Sequence, residues 1–238
     1  MTWLIIIVAS VLAALVQGLT GFGSVIIMMI FFPAIFPISR AAGIAGTIMF
    51  TSVLTLTLRY HHYFKLKRVL PPFIVYAAVA TWSVHLSNVL DTRVLRLMLG
   101  ALLVVLSLYF IFSKSAGRAK YPWYIALLFM VISGFFNGLF GIGGPLMALY
   151  FLSLSDSMGD YLGNIQGFFL IDAFYITSVR VANGILGTID IPYIIVGMIA
   201  AIFGTIIATH LSERWDLQTI KPWIYAFIGL SGIYYLFF

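Results

Sequence analysis

The 238-residue chain carries 13 Lys and Arg against 7 Asp and Glu, so only 8% of it is charged, while 63% is apolar and the mean hydropathy is +1.11. A soluble domain carries about 25% charged residues and cannot hide this much apolar surface. Soluble enzymes, nucleic-acid binders and disordered chains are therefore excluded, and the solvent is lipid. The net charge of +6 is spread as Lys and Arg over short loops, the pattern that orients a multi-pass membrane protein, and forms no basic stripe for nucleic acid. The absence of Cys excludes disulfides and thiolate metal sites.

Residues 3–16 are apolar, but no Lys or Arg precedes them and no A-x-A site follows, so they read as a first membrane segment and not as a cleaved signal. A spanning helix needs about 20 apolar residues at about 1.5 Å each. Apolar runs fall at 3–17, 22–37, 41–58, 69–88, 93–112, 122–139, 143–155, 161–183, 190–210 and 217–238. No period-2 alternation runs through them, which excludes a β-barrel. Four runs are short: 3–17 and 22–37, joined by GLTGFG, and 122–139 and 143–155, joined by GLFGIGGP. A helix of about 15 residues reaches only about 22 Å, short of a hydrocarbon core of about 30 Å. These pairs are expected to be broken or re-entrant helices.

The chain reads as an internal duplication. GLTGFG (Gly18 to Gly23) matches GLFGIG (Gly138 to Gly143) at an offset of 120, as do Gly43 with Gly163 and Pro72 with Pro192. His85-Leu86-Ser87 meets His210-Leu211-Ser212 at an offset of 125, followed by Asp91 with Asp216 and Tyr109 with Tyr234. The repeats are taken as 1–113 and 114–238. Each half holds five segments. Whether all five cross or the first two form a hairpin, the number of crossings is odd and the halves are inverted, a common transporter plan. The fold expected is an all-α polytopic membrane protein of two inverted repeats, each with a Gly-rich break.

Nine basic residues fall on one side (Arg59, Lys65, Lys67, Arg68, Lys114, Arg118, Lys120, Arg214, Lys221) and four on the other (Arg40, Arg93, Arg96, Arg180). The first side is expected to be cytoplasmic and both termini to lie outside the cytoplasm.

Chemistry is expected at the two breaks. Gly18, Gly21 and Gly23, with Gly138, Gly141, Gly143 and Gly144, permit tight turns and close backbone approach. Pro145 suits the first turn of a helix. Each break reads as a fresh helix N-terminus, with free N–H groups and a positive dipole end suited to an anion. Packing through small residues, as with Gly134 and Gly138, is the alternative. Gln17 and Asn137 precede the motif glycines at matched positions, and their amides can donate to an anion without adding charge. Thr20 and Ser24 are weaker candidates, since hydroxyls bond their own helix.

These motifs resemble the sulfite exporter TauE/SafE family of anion transporters. The resemblance rests on QGLTGFGSVIIMMIFFPAIF in the first half and NGLFGIGGPLMALYFL in the second, with support from Leu58-Arg59-Tyr60 and ANGILGTID at Ala182 to Asp190. It implies a cell-membrane transporter, bacterial inner membrane in setting, for sulfite, sulfonates and related small anions, often moved outward. The chain departs from the family pattern at His85, in a segment usually rich in Gly and Ala, and at Val25, where the counterpart of Pro145 would stand.

Asp172 is the one carboxylate deep in an apolar run. A charge at the bilayer centre costs about 3 kcal/mol or more, so it should face a cavity or partner. It reads as a proton carrier for coupled transport or as a structural partner of Arg180 or of a neighbouring helix. Its repeat mate is Ser52, and Asn164 and Gln166 precede it in the same segment. No cofactor, metal or nucleotide fingerprint is present, and no nucleophile–base pair points to an enzyme. A passive anion channel of the same fold is the alternative function.

Overall fold

The computed structural model describes residues 1–112, 121–211 and 217–237. Lys114, Arg118, Lys120, Ser212, Arg214, Asp216, the side chain of Lys221 and the 113/114 boundary lie outside the described residues. All regular structure in the described residues is helical. The ten α-helices are α1 (Thr2–Thr20), α2 (Ser24–Phe31), α3 (Ile38–Tyr60), α4 (Leu66–Val89), α5 (Thr92–Phe112), α6 (Trp123–Phe140), α7 (Gly144–Leu154), α8 (Met158–Ala182), α9 (Ile191–Leu211) and α10 (Leu217–Phe237).

Seven stretches among the described residues are long and apolar enough to cross a membrane, namely α1, α3, α4, α5, α6, α8 and α9 with their short 3-10 extensions. The chain is a multi-pass membrane protein. Its outer faces fit that solvent: α9 exposes Ile195, Ile199, Ile202 and Ile206, a helical stripe that only lipid tolerates.

Two expectations need correction. The runs ending at residues 17 and 139 are not short, because α1 has 19 residues and α6 has 18. Helix α1 runs past Gln17, and Gln17 and Asn137 are both buried against other helices. Only α2 and α7, at about 12 and 16 Å, are too short to span alone. The five extra residues of the second half lie ahead of α9, not after Pro192. Helices α2 and α7, and α3 and α8, begin 120 residues apart, whereas α4 and α9, and α5 and α10, begin 125 apart. Pro72 and Pro192 thus occupy different helical positions.

The main packing pairs all join one half to the other: α1 with α9, α4 with α6, α3 with α8 and α5 with α10. The α3/α8 pair is antiparallel. At one end Arg180 bonds the Ser39 carbonyl, and at the other Lys65, just past α3, bonds Asp160. The α5/α10 pair is antiparallel too, with Gly100 against Gly232 and Leu236 and Ser107 against Gly229. By contrast, α1 runs parallel to α9 (Val11 against Gly204, Gly18 against Ala208), and α4 runs parallel to α6 (Tyr76 against Gly134, Ala80 against Gly138).

Ion pairs close both ends of the α3/α8 pair. Arg40 Nε lies 2.6 Å from Asp190 Oδ1; Lys65 Nζ and Arg68 lie 2.9 and 2.7 Å from the Asp160 carboxylate. Arg40 and Asp160 are 120 residues apart, Lys65 and Asp190 are 125 apart, and both offsets are those of their helices. The same two positions therefore carry the same bond with the charges exchanged.

Candidate functional site

Both breaks are made by glycine in the left-handed region. Helix α1 is capped by Gly21 (φ 83°) and α6 by Gly141 (φ 72°). Each cap donates its N–H at 2.8 Å to the carbonyl of the amide residue four earlier, Gln17 or Asn137. Any other L-residue at such a φ costs about 1–2 kcal/mol. Helix α2 then starts after Gly23 (φ 97°), and α7 after Gly143. Gly143 is not left-handed; it is required because a Cβ there would collide with the Tyr76 hydroxyl.

The two breaks meet. A Cβ on Gly141 would lie 3.0 Å from Val25 of α2, and one on Gly144 would lie 3.4 Å from Phe22. Between them is a cavity of about 20 Å³, lined by Gln17, Gly23, Asn137, Gly141, Gly143, Gly144, Pro145 and Asp172, and by Val25, Ile26, Met49, Tyr76, Ile142 and Phe169. A second cavity of about 10 Å³, reaching Arg180, shares Met49, Asn137, Gly141 and Asp172 with the first. One water needs roughly 10–15 Å³, so the larger space holds a single water.

Asp172 is 2% exposed and Asn137 is 3% exposed. Asn137 Nδ2 donates to both Asp172 oxygens, at 3.1 and 3.2 Å, and the Tyr76 hydroxyl donates to Oδ2 at 3.3 Å. The reading of Arg180 as partner of Asp172 is not met, because the two form no ion pair. Arg180 is instead 1% exposed and donates to the carbonyls of Ser39 (3.1 Å), Asn137 (2.8 Å) and Gly138 (3.0 Å). It satisfies the Gly138 carbonyl, adds a second donor to the Asn137 carbonyl that Gly141 already bonds, and complements the negative end of α6. Its burial also removes it from the count of loop charges.

The first break is held by neutral groups. Gln17 accepts the Ser24 N–H at 3.2 Å and donates to the Gly21 carbonyl at 3.2 Å and to Gln166 Oε1 at 3.4 Å. Gln166 also donates to the Gly21 carbonyl at 2.6 Å. The Ser24 hydroxyl is buried with no hydrogen-bond partner among the described residues. Thr20 lies off the cavity, its hydroxyl 2.8 and 2.6 Å from the carbonyls of Val16 and Phe22. Gly18 and Gly138 also lie off the cavity, where they let α1 approach Ala208 and α6 approach Ala80 and Ser83. Asn164 bonds Asp160 and the Tyr63 carbonyl, and exposed His85 lines neither cavity.

Residues 6–235 match the family described as Sulfite exporter TauE/SafE. The chain belongs to this family. The match takes in both glycine breaks, and the family is one of membrane transporters. No curated protein and no solved structure matches the chain.

Sequence reasoning missed Tyr76 and the true role of Arg180. Tyr76 is one of 13 tyrosines, in an apolar run with no motif around it. The one available signal was the second glycine at Gly143-Gly144, which admits a bulky group against the backbone.

Proposed function

We propose that the chain exports small organic or sulfur-containing anions, such as sulfite or sulfonates, through the cavity between the two breaks, with Asp172 as the group that exchanges protons. The binding set is Gln17, Gly21, Gly23, Asn137, Gly141, Gly143, Gly144 and Pro145, with Gly18, Thr20 and Gly138 holding the breaks in place. Residues 1–113 and 114–238 act as inverted repeats in a cell membrane. The antiparallel crossing of the repeat mates α3/α8 and α5/α10 supports that arrangement, since mates related by an axis in the membrane plane must run oppositely.

The observation that carries the reading is the meeting of two glycine-capped helix breaks, an amide from each half and one carboxylate on a single small cavity. Fresh N-termini and amides attract an anion without a fixed positive charge. A space that holds one water suits a carrier that opens to one side at a time better than an open channel. Uptake of labelled sulfite, sulfonates and small carboxylates into proteoliposomes tests this. Saturable uptake of sulfite or a sulfonate, lost in Gly141→Leu, is expected; uptake of none of the panel by well-folded protein would overturn the reading.

A further inference from the structure

In its ionised form Asp172 uses the very donors an anion would need. Asn137 Nδ2 and the Tyr76 hydroxyl converge on its oxygens from α6 and α4, and all three groups line the larger cavity. An amide N–H and a phenol O–H aimed at one point recognise any oxyanion, whether carboxylate, sulfite or sulfonate. The acceptor present here belongs to the protein. A second negative charge beside it would find its donors taken and would be repelled in a space with no room for screening water.

No cation among the described residues is hydrogen-bonded to Asp172, and the Arg180 charge acts on it only from a distance. Among the described residues, the titratable or charged groups on the two cavities it lines are Tyr76 of α4 and Arg180 of α8 itself. The other elements present uncharged groups there: Gln17 from α1, Val25 from α2, Met49 from α3, Asn137 from α6 and Pro145 from α7. Arg180 is committed to three carbonyls.

Resting on the reading of the cavity as an anion site, we infer that the Asp172 carboxylate is a built-in competitor of the transported anion, so that anion and proton cross together. A proton from the loading side converts the carboxylate to a neutral acid and frees the Asn137 and Tyr76 donors. The anion takes them. On the other side the anion leaves, the proton returns to water and the carboxylate reclaims its donors. One monovalent anion and one proton move per cycle, so the step carries no net charge. The direction is then set by the combined anion and pH gradients. The first break has Gln166 in place of a carboxylate and adds no second proton.

Full-length protein in proteoliposomes, with labelled methanesulfonate and sulfite as probes, tests the inference. Counterflow is measured first. If neither anion exchanges, the anion-site reading falls and this inference with it. With exchange present, an inward anion gradient should acidify the lumen, at a rate unmoved by a potassium–valinomycin potential. Wild-type exchange should fall about tenfold per pH unit on the alkaline side, where Asp172 is ionised. Asp172→Asn is neutral at every pH, so its exchange should lose that pH dependence and its lumen should not acidify. For sulfite, itself a weak acid, the proton signal is the difference between wild type and Asp172→Asn. Tyr76→Phe should raise KM about tenfold. Anion entry with no lumen acidification, or with alkalinisation, overturns the inference and leaves the anion site standing. The wild-type measurement decides this whether or not Asp172→Asn folds.

Discussion

The two breaks share a backbone and differ in chemistry. Each has a left-handed glycine cap bonded to the carbonyl of an amide residue four positions earlier, at a spacing of 120. Around Gln17 the partners are a second amide, a backbone N–H and a carbonyl, all neutral. Around Asn137 the partners are a carboxylate on the side chain and a guanidinium on the carbonyl. The two breaks have the same conformation, which only glycine supplies cheaply, and different charges around it. At the centre the first half offers Tyr76 and uncharged groups, and the second holds the carboxylate and the guanidinium.

The shared part should be the hardest to break. Gly21→Leu and Gly141→Leu should each lower anion flux at least 100-fold at normal membrane levels, because both need a left-handed φ and Gly141 also abuts Val25. Flux normal in one and lost in the other would show that the breaks are not equivalent. The charged part should come next. Arg180→Leu leaves the Gly138 carbonyl unpaired at about 1–3 kcal/mol, while the Asn137 carbonyl keeps the Gly141 N–H, so a fall in the thermal midpoint of the purified protein is expected. Arg180→Lys should recover only part of it, since an ammonium lacks the planar fork.

The amides sharpen the contrast. Asn137→Leu should depress transport about 100-fold, and Gln17→Leu only about tenfold, because Gln166 still bonds the Gly21 carbonyl. Equal losses in proteoliposome flux would argue against a neutral first half. The terminal ion pairs should matter least, since their basic partners are partly exposed. Arg40→Gln should cost up to about 1 kcal/mol of stability, and Lys65→Gln less, because Arg68 still bonds Asp160. The double exchange Arg40→Asp with Asp190→Arg should restore the thermal midpoint.

Much of this was legible in the sequence because it depends on local rules. Glycine at a turn, an amide before it and a repeat at fixed offset are all visible as letters, and Asp172 stood out because charge inside an apolar run is costly. What stayed hidden depends on packing. Tyr76 matters only because α4 lies against α6 and α8, which no spacing announces. Arg180 looked like a loop charge because it sits near a helix end, yet that end is covered by Ser39 and the α6 terminus. The length of α1 was underestimated because the polar amide of Gln17 ends a hydropathy run without ending a helix.

The cross-pairing of helices has a further consequence for how the chain is assembled. Every main packing pair, and both terminal ion pairs, draws one member from each half. A first half made alone would present α1, α3, α4 and α5 to lipid with their small-residue faces uncovered. It should be cleared by membrane proteases. Supplying residues 114–238 as a separate polypeptide should rescue it, because each fragment is the missing template of the other.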